Sequence, residues 1–107
     1  MTSEHILIIN TCPDKSTAET LAARLVDMNL AACVNVLPGV HSIYRWQGKR
    51  EAADEHLLLI KTRGDCYGRV QDTLRAHHPY EIPEIIAVPI VQGSAEYLKW
   101  IDAQCKK

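Results

Sequence analysis

The sequence predicts an α+β sandwich of the ferredoxin-like kind, β-α-β-β-α-β, with a long hairpin between its second and third strands and one further helix at the C-terminus. Three observations predict it. Short apolar runs alternate with stretches of helical spacing, and the middle two runs are joined by a glycine turn instead of a helix, which splits the βαβ unit. No linker, repeat or low-complexity tract interrupts that pattern. At 107 residues the chain suits a single domain, residues 1–107, and a chain of this size buries roughly 60 to 68% of its unfolded surface.

Each element follows from local pattern. "HILIIN" (5–10) is a short apolar run closed by "TCPD", as a buried strand is. After Pro13, Ala18, Leu21, Ala22 and Leu25 recur at helical spacing, and Ser16 with Glu19 has the form of a capping box. "CVNVLPGVHSIYRWQ" and "REAADEHLLLIKTR" flank "QGK" and read as the two arms of a hairpin. Helical spacing returns in "DCYGRVQDTLRAHH", with Cys66, Val70, Thr73, Leu74 and His77 on one side. Pro79 stops that helix, because proline cannot continue the hydrogen-bond ladder, and biases His78 towards an extended conformation. "IIAVPIV" (85–91) is a strand whose internal Pro89 marks an edge or a bulge. Ser94 opens the last helix, with Tyr97, Leu98 and Ile101 expected inside.

The hairpin is too long for the sheet. Strands typically run about five or six residues and two helices cover only about that much of a sheet face, so roughly half of each arm must overhang. Ile43, Tyr44 and Trp46 lie on the overhang. A two-stranded ribbon with apolar side chains in water is marginal alone, which predicts an obligate homo-oligomer. The competing expectation is that the ribbon bends at Pro38-Gly39 and packs on its own domain.

Composition excludes several functions. Hydrophobic residues make up 47% and charged residues 23%, with a net charge of -1, so nothing favours nucleic acid. No apolar run is long enough to cross a membrane, and the N-terminus lacks the features of a signal peptide, so a cytoplasmic protein is expected. Cys12, Cys33, Cys66 and Cys105 form no CxxC pair and read as free thiols. Of these, Cys33 reads as a small buried hydrophobe and Cys105 as part of a frayed end, while His5, His41 and His56 read as surface or strand residues.

"AACVN" with "PGVHSIYRWQGK", then "LLLIKT", "HPYEIPEI" and "GSAEYLKWI", in that order and spacing, resemble the CutA family of divalent-cation-tolerance proteins over nearly the whole chain. The resemblance implies a ferredoxin-like subunit, a homotrimer with interlocking hairpins, and a role linked to copper and other divalent ions. It implies no catalysed reaction, and the chain is expected not to be an enzyme. It carries metal ligands onto His77 and His78. The family's cysteine position is occupied by Asn10, and Cys12 is the nearest thiol, facing the same way as Asn10 provided the strand continues past Thr11.

The chemistry agrees in kind, since imidazole and thiol suit copper and other late transition metals. On residues alone His77 reads equally as a neighbour of the core. Two other classes stay open. An uncharacterised enzyme would use an inter-subunit cleft built from Cys33, Lys61, Tyr80 and Glu84, because a turn centred on Gln47 and Gly48 with a one-residue bulge at Pro38 brings Cys33 opposite Lys61. Against it, no nucleophile motif is present. A trimeric small-ligand sensor like the PII signalling proteins would use the same clefts.

Overall fold

The computed structural model describes residues 4–106. Its elements follow the expected order: β1 (His5–Cys12), α1 (Lys15–Asp27), β2 (Cys33–Trp46), β3 (Lys49–Arg63), α2 (Tyr67–His77), β4 (Ile86–Pro89) and α3 (Ala95–Gln104), with a short 3-10 turn, Gly64–Cys66, leading into α2. The strands form one antiparallel sheet in the order β2-β3-β1-β4, the ferredoxin-like arrangement. Central β1 pairs with β3 from His5↔Arg63 to Cys12↔His56, and with the edge strand β4 from Ile6↔Pro89 to Ile9↔Ile86.

Strand alternation divides the apolar side chains between two faces. On one face Ile6, Ile8, Leu58 and Ile60 are buried and join Leu21 and Leu25 of α1, Val70 and Leu74 of α2 and Ile101 of α3 in a single core. On the other face Leu7, Ile9, Leu57 and Leu59 are only half-buried. Their register partners Leu37, Ile86 and Val88 are exposed, Ile86 by 52%. Among the described residues α3 reaches one end of this second face, where Asp102 meets His5 and Tyr97 lies beside Lys61, and the apolar sheet surface beyond it is left open.

The hairpin is as long as its sequence requires. Gln47 and Gly48 both have positive φ, 50° and 80°, as the two-residue turn that matches strand twist demands. The register runs from Trp46↔Lys49 to Cys33↔Lys61 and shifts once, between Leu37 and Val40. There Pro38 and Gly39 face the single residue His56, and Gly39 takes the positive φ of 79° that such a bulge favours. Beyond the bulge the ribbon continues outward and leaves Ile43 67% exposed. The molecule is correspondingly elongated, 44 × 26 × 23 Å, with a radius of gyration of 14.2 Å against about 13 Å for a compact domain of this length.

Several local expectations are corrected. β1 does not stop at Asn10 but runs through Thr11 to Cys12, which pairs with His56. Asp14, not Ser16, caps α1: its carboxylate accepts from the Thr17 amide at 2.7 Å, so the helix begins at Lys15. The carboxylate serves here because it stands just before the first free amides of the helix. Tyr97 is 41% exposed, whereas Ile101 is fully buried. Cys105 is buried, with its thiol 3.5 Å from the Thr62 hydroxyl, so it is part of the core. His5 is a strand residue, as expected, and its buried ring places Nε2 2.9 Å from Asp102. Cys33 is only half-buried, because it sits on the open face opposite Lys61.

Candidate functional site

The end of β1 and the turn after α2 meet beneath the base of the hairpin. Because β1 continues past Thr11, Asn10 and Cys12 share one face, and the Cys12 thiol donates to Asn10 Oδ1 at 3.3 Å. Asn10 is fully buried and its Nδ2 donates to the Glu84 carbonyl at 2.8 Å. A polar residue inside an otherwise apolar strand needs such partners.

Pro79 forces His78 out of the helix into extended geometry (φ -80°, ψ 139°), and this turns its ring inward. His78 is therefore buried at 9% exposure. His77 instead ends α2 on the outside, where it flanks Ser16, Thr17 and Arg24 of α1 in a separate shallow depression. The adjacent histidines thus point to different places.

Both ring nitrogens of His78 are engaged. Nε2 donates to the Thr11 carbonyl at 2.8 Å and Nδ1 accepts from the Tyr80 amide at 3.1 Å. The ring also packs against the Tyr80 ring, with centroids 4.8 Å apart. Tyr80 in turn donates its hydroxyl to Glu55 Oε2 at 2.8 Å, which ties the turn to β3.

Electrostatics follow from this burial. Desolvation, helped by Asp14 and Glu55, pushes the Cys12 thiol up to about 11. Burial lowers the pKa of His78 despite its bond to the Thr11 carbonyl, so the neutral ring is favoured. Burial, then the bond to Glu55, raises the Tyr80 phenol. Burial, then the charge of Glu55, raises the Glu84 carboxyl.

As metal donors, Cys12 and His78 are the pair brought together, with Sγ 3.9 Å from Nε2. His77 does not join them, and among the described residues no three His, Cys, Asp or Glu side chains gather as a metal-binding group. A bound ion would need the thiol deprotonated and His78 released from Thr11. The three expected ligands therefore do not make a complete site within one chain.

Tyr80 and Glu84 do reach a cavity, of about 680 Å³, walled by Tyr44, Trp46 and Ile82 and floored by Glu55. Cys33 and Lys61 are not part of it. Lys61 lies six residues along β3 from Glu55, a separation of roughly 20 Å, and its Nζ sits over the Tyr97 ring at 5.6 Å from the centroid. Glu55 is the site residue that motif reading passes over, and it carries no sequence signal. Asn10, marked beforehand as the occupant of the family's cysteine position, is found as a buried amide between the Cys12 thiol and the Glu84 carbonyl.

Fold and site together define a class: a ferredoxin-like domain with a protruding hairpin and a thiol–imidazole pair at the end of its first strand. The chain belongs to the CutA1 divalent ion tolerance family, whose model matches residues 6–104. It is 46% identical over 98 residues to the divalent-cation tolerance protein CutA of Thermus thermophilus, covering 92% of this chain and 94% of that relative. The CutA of Salmonella newport is 38% identical over 103 residues, 96% of this chain and 90% of its own length. Among solved structures, CutA from Xylella fastidiosa superposes with a TM-score of 0.94 at 47% identity, over 97% of this chain and 100% of that one. CutA1 from Oryza sativa gives 0.95 at 38% identity, over 99% and 97%.

Proposed function

We propose that the chain acts in tolerance of divalent metal ions as a homotrimer, with copper or another late transition ion as the species handled. The observation that carries this reading is the family match over residues 6–104. The Cys12–His78 pair supports copper, since thiolate and imidazole are the donors that soft late transition ions prefer. The open sheet face and the protruding ribbon support assembly, because apolar surface of that extent is stabilised by contact with further copies. The four free cysteines favour a reducing compartment, the cytoplasm.

The proposed donors are Cys12 and His78, and His77 enters only if another copy brings it to a different ion. Calorimetric titration of copper and zinc into the native chain, Cys12→Ser and His77→Gln tests this. Copper binding is expected to weaken at least roughly tenfold in Cys12→Ser, the loss of one soft donor, and to persist in His77→Gln. Equal affinity in all three chains contradicts the donor assignment. A response to nucleotides with none to metals replaces the reading with the small-ligand sensor.

A further inference from the structure

The ring of His78 has both nitrogens committed, and to partners that leave no choice of tautomer. A backbone carbonyl only accepts and a backbone amide only donates, so the Thr11 carbonyl at 2.8 Å fixes the ring proton on Nε2, and the Tyr80 amide at 3.1 Å takes the bare lone pair of Nδ1. A neutral imidazole has one proton to place.

That arrangement conflicts with a metal ion at the Cys12–His78 pair. The nitrogen beside the thiol is Nε2, 3.9 Å from Sγ, and to offer a lone pair there the neutral ring must carry its proton on Nδ1 instead. Nδ1–H then faces the Tyr80 N–H, donor against donor. Ligation through Nδ1 displaces the same amide directly. Whichever nitrogen serves, the Tyr80 amide loses its acceptor, and because a part-buried donor left unpaired is costly, the turn that holds it must move.

We propose that His78 is a tautomeric switch through which ligation at the Cys12–His78 pair releases the turn of residues 79–84. The switch rests on the donor assignment of Cys12 and His78 and adds the movement that binding there entails. Tyr80 packs on the imidazole with centroids 4.8 Å apart and donates its hydroxyl to Glu55 at 2.8 Å, and Glu55 is the strand partner of Val40, the first paired residue of β2 beyond the bulge. An event at the end of β1 is thereby carried to the foot of the hairpin. Such coupling is reciprocal, so whatever holds the turn opposes the ion.

Zinc and copper(I), both diamagnetic, are titrated into the isotope-labelled native chain by calorimetry and by nuclear magnetic resonance. At saturation the Tyr80 amide should exchange with deuterium at least roughly tenfold faster, with the amide of Leu25 in α1 as the unchanged reference. The imidazole signals should show Nδ1 protonated or ligated. Tyr80→Phe, which removes the bond to Glu55 and keeps the ring contact, should bind the ion roughly three- to tenfold more tightly than the native chain, the equivalent of one hydrogen bond no longer broken. Circular dichroism checks its fold, and the exchange measurement on the native chain decides if the variant does not fold.

Saturable binding that leaves the Tyr80 amide and the ring tautomer as they are, or a folded Tyr80→Phe that binds no tighter, overturns the switch while the donor assignment stands. Absence of binding, or binding undiminished in Cys12→Ser, removes the donor assignment and the switch with it.

Discussion

The two faces of the sheet are built from the same kinds of residue and meet different fates. Ile8, Leu58 and Ile60 lie under helices at 0% exposure, while their strand neighbours face the other way, and Leu37, Ile86 and Val88 on that side are 37%, 52% and 41% exposed. Runs such as "ILII" and "LLLI" are the pattern of strands buried on both sides. The fold supplies only one covering layer. The proposed assembly assigns the second to further copies of the chain, so that one face would answer for the fold of the subunit and the other for its association.

Substitutions separate these two roles. The largest effect belongs to the covered face: Ile60→Ala should cost about 2–5 kcal/mol, through lost burial and the cavity left behind, read as a lower urea midpoint at every protein concentration. On the open face, Ile86→Asp or Ile43→Asp should leave the far-ultraviolet spectrum of the chain unchanged and make its thermal midpoint fall steeply on dilution. If both classes of variant respond alike to dilution, the division between faces fails.

His78 stands between the two regions, clamping the turn that closes the cleft. Burial lowers its pKa in the fold below the ordinary histidine value of 6.5. The unfolded chain therefore binds the proton first, and the stability contributed by the neutral ring is complete at pH above 6.5 and is lost as pH falls through that value towards the folded pKa. His78→Gln should lower stability at pH 8 by about 1–3 kcal/mol, the range for buried groups left unpaired, and should flatten the dependence near pH 6. Urea titrations at pH 5.5 and 8 measure both effects.

The smallest effect is expected at Asp14. Its folded pKa is lowered, first by the backbone amide of Thr17. The cap therefore stabilises above the ordinary carboxylate value of 3.8 and weakens as pH falls through the folded one. Asp14→Ala should lower the thermal midpoint slightly at pH 7, by an amount that shrinks as the pH falls below 3.8.

Much of the fold was legible in the sequence. The element order follows from period changes, and the hairpin register from one turn and one bulge: Gln47-Gly48 and Pro38-Gly39 lead to Cys33↔Lys61 as expected. What escaped depends on tertiary geometry. Helical spacing places His77 with Val70 and Leu74, but Pro79 ends the helix there and turns the next residue, His78, inward. "TCPD" looks like a break, yet β3 offers a partner for each residue as far as Cys12, so the strand continues. Cys105 looks like part of a frayed end, and only the packing of α3 places it beside Thr62. The bonds of Asn10 to Glu84 and of His78 to Thr11 join residues 74 and 67 positions apart, and no local pattern announces them.

Sedimentation velocity of the native chain, diluted from micromolar to nanomolar concentration at neutral pH, tests most directly whether the bare face needs a partner. A species near three times the 12.0 kDa chain mass, persisting on dilution and unfolding where it dissociates, is the predicted result. A stably folded particle of 12.0 kDa throughout that range would contradict it.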